Sequence, residues 1–113
     1  MTIELKEEEE FLKIELSEVF QFDTFIEFIV ALGEERANKI LIDGRTLENT
    51  NLSYKERYEI GNTAVEHLDL GAKYVIIWPE RDINYFAISV MKLQGFNVQV
   101  FTNKSSAQDW LLN

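Results

Sequence analysis

Three carboxylates in this chain stand where a cation or a phosphoryl group would be held if the fold brought them together. Asp43 follows the apolar run Ile40, Leu41, Ile42, and Glu80 and Asp82 follow the unbroken run YVIIW from Tyr74 to Trp78. An acid at the carboxyl end of a buried parallel strand occupies the place where open α/β sheets hold ligands. Were the two strands neighbours, Asp43, Glu80 and Asp82 would make a candidate ligand or ion pocket around magnesium, and Lys104 after the next strand would complete a phosphoacceptor-like arrangement. Each acid has a simpler use as well. Asp43 pairs with Arg45 or accepts backbone N–H groups, Asp82 caps a helix beginning at Ile83, and Glu80 stays in water after Pro79.

The remaining chemistry-bearing residues are few. Ser53 opens the tetrad S-Y-K-E, whose Glu56 three residues on makes a capping box, and the same hydroxyl is a candidate regulatory phosphosite. His67 is the only imidazole and has no cysteine or serine constellation to activate, so no triad can be assembled. No glycine pattern of a dinucleotide or P-loop site is present; Gly61 is isolated in a helical stretch, where it permits close packing. The run Glu7 to Glu10 reads as a hydrated turn, because consecutive turn residues point in different directions. Neither catalytic residues nor a metal or other cofactor is expected.

The elements that position these groups follow from hydrophobic period. Thr2 to Glu7 and Phe11 to Leu16 alternate as half-buried strands and predict an antiparallel hairpin. A helix follows from Asp23 to Leu32, with Asp23 or Thr24 as cap and Glu27 closing a capping box on Thr24. Strands are predicted at Lys39 to Asp43, Tyr74 to Trp78 and Asn97 to Phe101, and helices at Ser53 to Leu70, Asp82 to Gln94 and Ser105 to Leu112, with Gly71 and Gly95 at helix ends. Strand and helix alternating at this spacing require parallel strands joined by right-handed crossovers. The result is an α/β domain, ββαβαβαβα, with a mixed sheet: an antiparallel amino-terminal hairpin and parallel strands thereafter.

Composition narrows the partners. The 113 residues, 46% of them hydrophobic, suit one domain spanning 1–113. There is no cysteine, which excludes disulfides and thiolate chemistry. The formal charge is −9, and residues 1–24 hold eight acids against Lys6 and Lys13. With no basic stripe, neither nucleic acid nor an anionic membrane surface is an expected partner. No run approaches the ~20 apolar residues of a spanning helix, and the amino terminus is acidic where a signal peptide is basic and then apolar, so a cytoplasmic location without an integral membrane segment is expected.

Two segments resemble a known family. Leu41, Ile42, Asp43, Gly44, Arg45, Arg57, Gly61, Asn62, Ala64 and Leu68, followed by QGFNVQVFTNKSSAQDWL from Gln94 to Leu111, are similar to the SpoIIAA-like branch of the STAS superfamily. The resemblance implies an anti-sigma-antagonist-like fold without a cofactor. In the antagonists proper, an Asp-Ser-Ser-Gly helix start carries the serine that a partner kinase phosphorylates. Here the region reads NTNLSYKE; the motif is absent, and Ser53 remains at the helix entry.

Two helices carry more apolar surface than one buried face needs. In the first, Phe25, Ile26, Phe28, Ile29, Val30 and Leu32 surround much of the circumference. In the third, Ile83, Phe86, Ala87, Val90 and Leu93 share one face while Tyr85, Ile88 and Met91 spread beyond it. A thick core would absorb this excess. Otherwise Phe25, Val30, Tyr85, Ile88 and Met91 form an interface with a protein partner or a second copy, or line a site for an apolar ligand. The leading expectation is a non-enzymatic STAS-like interaction module. The rival is a carrier or sensor of a lipid or other apolar small molecule, since this family is also similar in fold to SEC14 domains.

Overall fold

The computed structural model describes residues 1–113 and shows a five-stranded mixed sheet with four helices. In chain order the elements are β1 (Thr2–Glu7), β2 (Leu12–Ser17), α1 (Phe22–Leu32), β3 (Lys39–Asp43), α2 (Tyr54–His67), β4 (Lys73–Ile77), a single 3-10 turn (Glu80–Asp82), α3 (Phe86–Leu93), β5 (Asn97–Phe101) and α4 (Lys104–Leu112). β1 and β2 pair antiparallel, every later pair is parallel, and the spatial order is β1-β2-β3-β4-β5.

That order decides the layering. Each crossover carries the chain to the next strand in the same direction, so right-handed connections place α1, α2 and α3 on one face. The main core lies there: Leu12, Ile14, Leu16, Ile40, Ile42, Tyr74, Trp78 and Val98 of the sheet side meet Phe25, Phe28, Ile29 and Leu32 of α1, Ala64 of α2, and Ile88 and Met91 of α3. The opposite face belongs to α4 alone, whose Ala107 and Leu111 pack on Leu41, Val75 and Ile77. Lys73 fastens that layer, donating to the Trp110 carbonyl at 2.6 Å with its ammonium 4.5 Å from the indole centroid. Since α4 reaches only β3, β4 and β5, the same face of β2 carries charge instead of apolar residues: Lys13 and Glu15 pair there at 2.8 Å. The period-two code thus reads out one covered and one open stretch of a single sheet.

Several local expectations need correction. Neither Asp23 nor Thr24 caps α1: the cap position is Gln21, no side chain bonds its first amides, and Thr24 instead reaches Gln21 Oε1 at 3.4 Å. With Phe22, Phe25, Phe28 and Ile29 packing on or in the core, tertiary burial holds this helix where a capping bond is missing. Helix α3 begins at Phe86 rather than Asp82, because Ile83 is extended (φ −63°, ψ 132°) and Asn84 Oδ1 accepts the Phe86 N–H at 2.7 Å, a competing side-chain turn that restarts the helix. Its inner face also differs from the expected one. Ile88 and Met91 face the sheet, Ala87 and Val90 press on Gly61 of α2, and Phe86 and Leu93 remain exposed. No helix is long and apolar enough to cross a membrane.

Candidate functional site

The carboxylates do not converge. Asp43 ends β3 and is nearly buried, but Arg45 occupies it: Nε donates to Oδ1 at 3.0 Å, Nη2 to Oδ2 at 2.7 Å and the Arg45 backbone N–H to Oδ1 at 3.2 Å. Burial is the largest influence on its proton affinity and acts upward, yet the Arg45 side-chain and backbone bonds together hold the carboxyl below its ordinary range. Asp82 is engaged elsewhere, accepting from the Thr50 hydroxyl at 2.6 Å and from Arg81 Nε at 3.2 Å. Glu80 is exposed. No group of three acids or imidazoles has the geometry of a metal site. The strands themselves are neighbours, with Asp43 opposite Ile77. The acids stay apart because Arg45 takes Asp43, Thr50 and Arg81 take Asp82, and the order β1-β2-β3-β4-β5 has no reversal that would open a crevice at the strand ends. Lys104 stands apart from Glu80 and Asp82, beside Lys13, whose ammonium lowers its pKa.

Ser53 is the N-cap of α2 in a complete capping box. Its Oγ accepts the Glu56 N–H at 3.1 Å while its own N–H donates to Glu56 Oε1 at 2.9 Å. The five apolar candidates divide: Phe25, Ile88 and Met91 lie in the core of this chain, so they supply packing, whereas Val30 is 38% and Tyr85 61% exposed. Much of the apolar excess of α1 and α3 is therefore a thick core, as a sheet face shared by three helices requires.

Two features carry more. On the outer surface of α2 and α3, Tyr54 (69% exposed), Tyr58 (51%) and Phe86 (37%) hold one another in water, with ring centroids 5.6 Å apart for Tyr54–Phe86 and 6.3 Å for Tyr58–Phe86. Tyr85 adjoins them in sequence. Beneath this surface lies an apolar cavity of about 80 Å³ between α2, α3 and the strand ends, walled by Phe25, Leu52, Ile60, Ile76, Trp78 and Ile88 among others. Arg57 lines it and is 8% exposed; its Nε donates to the Leu52 carbonyl at 3.1 Å and its Nη2 to the Asp82 carbonyl at 3.5 Å. Neither feature stands out in a hydrophobic profile. The available signal was spacing: Tyr54 and Tyr58 are four apart on a polar helix and share a face, and Arg57 stands three, four and seven residues before Ile60, Gly61 and Ala64, on the inward stripe.

No protein-family model, curated protein or solved structure matches this chain.

Proposed function

We propose that this chain is a non-enzymatic, cytoplasmic interaction module of SpoIIAA-like STAS type that binds a protein partner or a second copy of itself through the outer face of α2 and α3. The observation that carries the reading is the exposed stack of Tyr54, Tyr58 and Phe86. Aromatic rings braced against each other are preorganised, bury large apolar area for little entropy, and are the residue type that dominates interface energetics. The surroundings specify charge. Tyr58 also walls a groove between α1 and α2 bounded by Asp23, Glu27, Glu59 and Glu66 against Lys55 alone, so the matching surface is basic with apolar anchors. Lipid carriage is the weaker reading, because a cavity of about 80 Å³ falls well below the ~300–1,000 Å³ of typical ligand pockets.

Sedimentation velocity over a wide concentration range tests self-association, and a photo-crosslinking residue in place of Tyr54 tests for a partner in cells. We expect one of the two to give a defined complex that weakens with salt. Tyr54→Lys combined with Tyr58→Lys should abolish it without lowering the melting temperature, since both side chains are more than half exposed. A monomer at all concentrations with no defined crosslink would overturn the proposal.

A further inference from the structure

Arg57 presents an unusual electrostatic situation. Arg57 as a residue is 8% exposed, yet no carboxylate lies within 4 Å of its guanidinium; the ion pairs of this chain join Lys13 to Glu15, Arg45 to Asp43 and Arg81 to Asp82. Asp82, the acid whose backbone it touches, offers only its carbonyl and turns its carboxylate to Thr50 and Arg81. Two neutral carbonyls accept from Nε and Nη2; Nη1 has no protein acceptor and is not sealed off, since no fully buried side-chain nitrogen of the chain lacks a partner. A largely buried cation with no carboxylate in contact is costly, and with Nε and Nη2 on carbonyls it is the Nη1 end of the guanidinium that remains to donate charge-assisted bonds to a carboxylate.

The cavity beside it supplies the rest. Nine of its eleven lining residues are hydrophobic, and besides Arg57 the polar one is Asn84. The Asn84 Oδ1 is used by the Phe86 N–H, which leaves its amide nitrogen free to donate. We infer that this cavity binds a small aliphatic monocarboxylate, its carboxylate held by Arg57 and Asn84 and its short chain seated against Ile60, Ile76, Ile83 and Ile88. The lining decides against phosphate, which needs more donors than two side chains provide, and the volume of about 80 Å³, room for roughly three water molecules, limits the ligand to a chain of a few carbons. The site is independent of the partner-binding face: its failure leaves the aromatic surface untouched, and loss of partner binding leaves the cavity intact.

Titration of the ¹⁵N-labelled protein with acetate, butanoate and hexanoate, alongside the neutral isostere butanamide, tests the inference. Butanoate should bind saturably in the millimolar range or tighter, moving the backbone amides of Asn84, Ala87 and Ile88 and the Arg57 Nε–H signal. Acetate should bind at least tenfold more weakly and hexanoate no better than butanoate. Arg57→Met, which removes the charge at similar volume, should weaken butanoate at least tenfold. Butanamide binding as tightly as butanoate would overturn the inference, as would unchanged affinity in Arg57→Met or the absence of saturable butanoate shifts at these amides. The comparison of butanoate with butanamide uses only the unaltered chain and decides the matter even if Arg57→Met fails to fold.

Discussion

Ser53 shows how far a single residue can be read. S-Y-K-E contains both halves of a capping box, and both bonds form. Ser53→Ala should therefore lose about 0.5–2 kcal/mol in denaturant melts, while Ser53→Asp, which also caps and adds charge at the positive helix end, should keep its stability. A cell extract or kinase that phosphorylates Ser53 and thereby switches a partner would give this hydroxyl its regulatory role. Asp43 tests linkage. Its folded pKa lies below its unfolded value, so its contribution is present above the unfolded pKa and is lost as pH falls through the folded one. Asp43→Asn should cost about 1–2 kcal/mol at pH 7, toward the low end for bonds to charged groups because the Arg45 side chain is 42% exposed. The gap between wild type and variant should close as the pH is lowered through the folded pKa of Asp43, measurable by urea unfolding at a series of pH values. Its pairing with Arg45 was readable from positions two apart; the idleness of Glu80 was not, since β3 and β4 are neighbours as the site required and it depends on which partners take Asp43 and Asp82.

At the scale of elements, the strands were readable because period two and period 3.6 differ strongly, and the five fall within one residue of expectation. Helix starts were less so. Ser53 announced α2, but an apolar stretch that extends past Asn84 hides the turn that delays α3 to Phe86. Which face of α3 points inward depends on α2 as well as the sheet, a two-partner burial that a one-face pattern cannot express. Gly61 is where those helices meet. A Cβ there would stand 2.8 Å from Val90 Cβ and 3.1 Å from the Ala87 carbonyl oxygen. Gly61→Ala gains up to about 1 kcal/mol of helix propensity, but forcing the helices apart should cost about 1–3 kcal/mol. A net loss of stability in thermal melts is expected, and a gain would show that α2 and α3 can separate freely.

For the whole molecule, alternation of strand and helix was enough to predict a mixed sheet with parallel crossovers, and the structure has it. The Arg57 cavity and the Tyr54–Tyr58–Phe86 surface were beyond that reading, because both are made by α2 meeting α3, a contact between residues about thirty positions apart. The division into two unequal layers has a consequence for how the protein comes apart. Each layer holds one of the two tryptophans: Trp78 in the main core, in contact with Phe20 and Phe25, and Trp110 of α4, beside Phe101 and Lys73. Trp110→Phe and Trp78→Phe therefore make a matched pair of optical probes, one for each side of the sheet. A sheet whose strands β3 and β4 contribute to both layers should couple them, so the two fluorescence transitions should coincide in urea after correction for each variant's stability. An earlier transition in Trp78→Phe, the variant that reports on α4, would instead mark Lys104–Leu112 as a cooperative unit that detaches while the three-helix side stays folded.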